Sequence, residues 1–204
     1  MDSQSIHNQV LRVIKSGKTG SIYFAGDFTY YGSTETINKI LLRLENEGFI
    51  VRLAQGIYLK PKRSELLGII FPGVEEIATE ISKRDKARII PTGIYALYVL
   101  GLTTQIPLNI IYLTDGSQRE VKVGKRIIKF KKAAPKNFAI RDNTLNLIVQ
   151  AFKEKKLSNI DADFIEKMIP HIQKIDSKIV LDQIRYAPVW VQKQVKNIRQ
   201  KNVD

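Results

Sequence analysis

The side chains best suited to reading a polyanion lie on one stretch of this 204-residue chain. Between Ser33 and Gly48, the residues Thr36, Asn38, Lys39, Leu42 and Arg43, with Thr34 just before them, project away from Ile37, Ile40, Leu41 and Leu44. Short polar and cationic groups on one helix face can hydrogen-bond base edges and phosphates, whereas a face turned only to water needs no particular residues. Thr36, Asn38 and Lys39 are expected at base edges of double-stranded DNA, with Thr34 grouped beside them and Arg43 on phosphate. Arg52 and Gln55, on the segment that follows, are assigned to the DNA backbone or minor groove.

A second set of cations is denser. Residues 117–141 hold nine Lys/Arg against one acid, more than half of the whole chain's net charge of +13. Lys122, Lys125, Arg126, Lys129 and Lys131, followed by Lys132, read as a second basic surface, either for nucleic acid or as a solvated face. The same segment holds the one arrangement that could support metal chemistry. Asp115 followed by Glu120-Val-Lys122 resembles the Asp…Glu-x-Lys pattern of restriction-endonuclease-like nucleases, in which carboxylates hold Mg²⁺ beside a lysine. A turn aspartate and an exposed cross-strand pair account for the same residues. A DNA-tethered, Mg²⁺-dependent nuclease is therefore the alternative function.

Other chemistry is sparse. There is no Cys, and no nucleophile elbow, Walker loop, dinucleotide fingerprint or His-Glu-x-x-His occurs. His7 and His171 have no companions at metal-ligand spacing. No catalytic residue, metal or cofactor is assigned, and the chain is not expected to be an enzyme. It lacks the pattern of a signal peptide and any apolar run of about 18 residues, so a cytoplasmic protein without membrane partners is expected.

The elements that must position these groups can be read from period and punctuation. Ser5 caps a first helix carrying Ile6, Val10, Val13 and Ile14, which Gly17 ends. Residues 21–24 form a short strand, and residues 25–31, with Phe28 inward, a short helix. Ser33 caps the polyanion-facing helix, and Gly48 stops it. Past Gly48 the period changes to two, with Gln55-Gly56 as a tight turn between strands that close at Pro61. This order, with a helix running into a two-stranded wing, is that of a winged helix-turn-helix.

Further on, residues 74–86 read as a helix and residues 88–91 as a strand. Thr92 is expected to cap a helix that Gly101 ends. Residues 109–114 form an unbroken apolar strand, expected to be covered on both faces. Val121 and Val123 face Ile128 and Phe130 across the hairpin turn Gly124-Lys125. The last third is helical: Asp142, Asp161 and Ser177 are caps, Pro170 predicts a kink or break, and residues 189–200 form the final helix. Trp190 reads as a packing residue.

The run Leu41-x-x-Leu44-x-x-x-Gly48-x-Ile50-x-Arg52, then Gly56-x-Tyr58-x-x-Pro61, resembles the N-terminal domain of AbiEi-type antitoxins of type IV toxin–antitoxin systems. Ile89-Ile-Pro91-Thr-Gly93, Ala96-Leu97, Gly101-Leu102, Pro107 and the strand from Ile110 to Thr114 are similar to the opening of that family's second domain. Tyr186-Ala-Pro188-Val-Trp190 adds a third echo. The resemblance implies a repressor of its own operon that counteracts a nucleotidyltransferase-like toxin, directly or functionally. The expected architecture is α+β, with a winged helix-turn-helix over residues 1–63 and an α/β antitoxin-like domain with C-terminal helices over residues 64–204.

Overall fold

Side-chain caps set where the helices begin. In the computed structural model, which describes residues 5–200, Ser5 Oγ accepts the backbone N–H of Asn8 at 3.3 Å and opens α1, Ile6–Ser16. Ser33 Oγ does the same for Thr36 at 3.2 Å and opens α2, Thr34–Asn46. Each satisfies one of the donors that a helix start leaves unpaired. Gly48, with φ +76°, ends α2, and Phe49 N donates to the Leu44 carbonyl at 3.0 Å.

The protein is a mixed α+β structure that divides into two compact units. One runs to Ile81 and includes Val121–Lys125; the other takes Ser82–Glu120 and the chain from Arg126 onward.

In the first unit, β1 (Ile22–Phe24), β2 (Val51–Ala54) and β3 (Ile57–Leu59) form an antiparallel sheet in the order β1-β3-β2. Gly56, with φ +69°, makes the tight turn between β2 and β3. A register shift between Arg52 and Ala54 breaks the alternation, so Leu53 and Ala54 are both buried while Arg52 stays exposed. Val10 and Ile14 of α1 pack with Ile37, Leu41 and Leu44 of α2, and with Phe28, Ile50 and Tyr58, in one core.

Residues 25–31 are not a full helix. They contain a single 3-10 turn, Ala25–Phe28, held by local bonds: Phe24 N to the Asp27 carboxylate at 2.9 Å and Thr29 Oγ1 to the Gly26 carbonyl at 2.8 Å. Side-chain bonds of this type compete with helix propagation. A hairpin that the sequence pattern does not predict follows β3: β4 (Lys62–Ser64) pairs with β5 (Gly68–Ile70). Then α3, Val74–Arg84, buries Ile77, Ala78 and Ile81.

The second unit holds β6 (Ile89–Thr92), β7 (Asn109–Thr114) and β9 (Arg126–Lys132) of a sheet in the order β6-β7-β9-β8, whose last strand, β8 (Arg119–Val123), belongs to it only at Arg119 and Glu120. β7 runs antiparallel to β6 and parallel to β9. One face of β7 is buried through Ile110, Tyr112 and Thr114. The other is only half covered at Ile111 and Leu113, short of the two-sided burial expected from its apolar run.

Thr92 does not cap α4 (Ile94–Val99). It ends β6, Gly93 turns the chain at φ +66°, and the Thr92 hydroxyl donates to Gln150 Oε1 at 3.3 Å.

Helix α5, Asn143–Lys155, starts where Asp142 accepts Leu145 N at 2.7 Å, and α6, Ala162–Gln173, where Asp161 accepts Phe164 N at 2.8 Å. Phe152 meets Phe164 and Trp190 edge-on, with centroids 5.3 and 6.3 Å away, so Trp190 is a packing residue. Pro170 leaves α6 unbroken: Pro170 and Glu166 are exposed, so water can satisfy the carbonyl that loses its donor. The cap of α7 (Ser177–Gln183) is Asp176, which accepts Lys178 N at 2.7 Å; Ser177 instead meets Arg199 Nη2 at 2.5 Å. A 3-10 turn at Ile184–Tyr186 leads into α8, Val189–Gln200. Among the described residues, no helix is long and apolar enough to cross a membrane.

Candidate nucleic-acid interface

Helix α2 buries Ile37, Leu41 and Leu44 and turns Thr34, Asn38, Lys39, Leu42 and Arg43 outward. Thr34, Asn38 and Leu42 form one exposed row at four-residue spacing, and Glu35, Lys39 and Arg43 form the next. Leu42 is 53% exposed, an apolar group set among polar ones.

Thr36 departs from this face. It is half-buried, and its hydroxyl lies 2.9 Å from that of Ser33, so the side chain completes the helix cap. Lys39 Nζ is held by Glu35 Oε1 at 2.7 Å, with both side chains mostly exposed. Arg52 and Gln55 are exposed on β2 and on the turn after it, and Arg52 Nε reaches the Ala54 carbonyl at 3.4 Å. Opposite Arg52, burial raises the Tyr58 phenol above its ordinary pKa; Arg52 pulls it down and Glu45 pushes it up.

One exposed group is not evident from the sequence pattern. Tyr30 is 93% exposed in the turn before α2 and stands edge-on to Tyr31, with centroids 5.7 Å apart. The signal is the Tyr30-Tyr31 pair itself, more aromatic surface than one short connection can bury. A phenol at the entrance to α2 can donate to a phosphate.

The cation-rich hairpin is β8 and β9. Lys122, Lys125 and Lys131 are exposed, while Arg126 and Lys129 are half-buried. Lys129 Nζ is paired with Glu120 Oε1 at 2.9 Å, which offsets one charge of the set. Asp115 Oδ1 accepts Arg88 N at 2.7 Å and closes the turn after β7. The two carboxylates of the nuclease-like pattern thus have a backbone donor and a lysine as partners. Among the described residues, no group of three or more His, Cys, Asp or Glu is placed to hold a metal ion. His7 Nδ1 lies 3.4 Å from Asn8 Oδ1 on α1.

Residues 9–180 match the model of a family of unknown function, DUF6088. No curated protein matches the sequence. Among solved structures, the chain is similar to the RV2827C protein of Mycobacterium tuberculosis, with a TM-score of 0.53 at 11% identity. That match covers 95% of this chain and 75% of the other.

Proposed function

The chain belongs to the DUF6088 family, and we propose that it is a sequence-specific DNA-binding repressor acting as the antitoxin of an AbiE-like, type IV toxin–antitoxin system. The observation that carries the DNA-binding half is α2: a capped helix with an outward face of Thr34, Asn38, Lys39 and Arg43, followed directly by the β2–β3 hairpin. In this reading, residues from α1 to β3 are a winged helix-turn-helix, α2 enters the major groove, and Arg52 and Gln55 on the wing contact backbone or minor groove. The 3-10 turn at Ala25–Phe28 and the turn before Ser33 take the place of the helix and turn that precede a recognition helix.

The antitoxin half rests on the motif resemblance, notably Gly56-x-Tyr58-x-x-Pro61. Autoregulation joins the two, since a repressor that binds its own promoter sets the supply of antitoxin. The partner is a nucleotidyltransferase-like toxin, met directly or opposed through its effects.

The test is to sequence the DNA that the full chain protects within its own promoter, and to co-express the chain with the product of the neighbouring gene. A discrete protected site, lost on Asn38→Ala, together with relief of the neighbour's toxicity, is the expected result. Uniform protection at every salt concentration rules out the repressor. Unrelieved toxicity rules out the antitoxin.

A further inference from the structure

One face of α5, made by Asn146, Val149, Gln150 and Lys153, lines a cavity of about 330 Å³. Its other wall includes Lys136 and the turn at Tyr186. Asn146 and Gln150 are 3% and 4% exposed, and a buried amide is costly wherever an apolar side chain would also fill the space. Asn146 holds the chain that folds over it, since its Nδ2 donates to the carbonyls of Ile140 at 3.2 Å and Asn137 at 3.4 Å. Gln150 does less. It donates to Asn146 Oδ1 at 3.4 Å and accepts from Thr92 at 3.3 Å, leaving one N–H and one lone pair beyond these bonds.

We propose that this cavity binds a nucleotide, either free or at the end of a nucleic-acid strand. The spare donor and acceptor of Gln150 match the edge of a base, adenine above all, which amide side chains read in a bidentate manner. The Tyr186 ring, half exposed at the wall and with the Arg185 guanidinium carbon 5.1 Å from its centroid, offers a stacking surface. Lys136 and Lys153 are exposed and supply cations for phosphate. The volume falls within the range of small-ligand pockets, about 300–1,000 Å³. The residues concerned run from 136 to 186 and share nothing with α2, so the proposal stands apart from DNA recognition.

The experiment is calorimetric titration of the full chain with 5′-AMP, with triadenylate and with inorganic phosphate. It is repeated on Gln150→Leu, on Lys136→Ala/Lys153→Ala and on Tyr186→Ala. The expected result is saturable binding of AMP or triadenylate, weakened at least tenfold in each variant, with the melting temperature unchanged in the two surface variants. Binding of AMP identifies a free nucleotide, and binding of triadenylate alone identifies a strand end. The proposal is overturned if neither ligand binds at millimolar concentration, if the variants bind like the parent, or if phosphate binds as well as AMP. Should Gln150→Leu not fold, the two surface variants decide the outcome.

Discussion

Glu35 holds Lys39 through a 2.7 Å ion pair on the exposed face of α2. The acid sits in the first turn, where the helix dipole favours it, and the lysine one turn later. DNA arriving at this face meets a cation already paired and an anion beside it. Glu35→Gln is therefore expected to tighten binding to DNA several-fold and to cost only a few tenths of a kcal/mol in stability, as exposed pairs do. Fluorescence anisotropy at low and moderate salt measures the first effect and urea unfolding the second. Unchanged affinity would place this face away from DNA.

Base reading and phosphate contact separate in their signatures. Asn38→Ala and Lys39→Ala should each reduce discrimination between the protected site and a scrambled one by about 1–3 kcal/mol. Arg52→Ala should weaken both sequences alike and flatten the dependence of affinity on salt. Competition binding against the two duplexes tells the roles apart. A selective loss in Arg52→Ala contradicts the backbone assignment.

The C-terminus of α1 makes a stability prediction in the same unit. Lys60 Nζ donates to the carbonyls of Lys15 at 2.6 Å and Gly17 at 2.7 Å, and the Tyr23 hydroxyl fills the space that a side chain on Gly17 would need. Gly17→Ala should cost about 1–3 kcal/mol through overpacking. In a Tyr23→Phe background the cost should fall, because the clashing oxygen is gone. Urea unfolding of the four members of this cycle gives the coupling; additive costs would mean that the two residues do not meet.

How legible this was in the sequence depended on the range of the forces involved. Ser5, Ser33, Asp142 and Asp161 were readable as caps because a cap is settled within four residues. Thr92 and Ser177 differ from their expected roles as caps for the opposite reason. Each has a capping side chain, but Thr92 is held by Gln150, 58 residues away, and Ser177 meets Arg199, 22 away. The β4–β5 hairpin leaves no period in the sequence, because Leu66, Leu67, Ile69 and Ile70 show no alternation, and Leu66 is 94% exposed. On α2 the exposed rows followed from the period alone, whereas the loss of Thr36 to the cap depended on a rotamer. Asn146 and Gln150 look like an exposed face in a helical projection. The chain folded over them, from 136 to 140, at 186 and at Thr92 of β6, makes them interior.

Acid should weaken the second unit through Asp161. Lys155, at 2.8 Å, and the Phe164 N–H hold this carboxyl below its ordinary pKa of 3.8. A carboxylate with a depressed folded-state pKa adds stability that is complete above the unfolded value and is lost as pH falls through the folded one. Asp161→Asn keeps an oxygen for the cap but not the charge. The parent should be the more stable at pH 6, and the two unfolding midpoints should converge below the carboxylate range. Parallel curves down to the lowest pH would show that the Lys155 pair does not contribute.

The cation-rich hairpin tests whether DNA recognition stops at the first three strands. Residues 1–61 carry seven Lys/Arg against five acids, too small an excess for many phosphate contacts. Lys122 and Lys125 are exposed on the hairpin, with Arg126 half-buried beside them, whereas Lys129 is already paired with Glu120. If the hairpin lies on nucleic acid, each phosphate neutralised adds about 0.9 to the slope of log affinity against log salt. Changing Lys122, Lys125, Arg126 and Lys129 together to Ser should make that slope shallower by about two to three, fewer than four because of the Glu120 pair. Site preference should be intact, since these residues carry no base reading. Binding of parent and variant to the protected promoter fragment, followed from low to moderate salt, supplies both slopes. Superimposable slopes would leave the hairpin a solvated face, and a changed site preference would make it a reader in its own right.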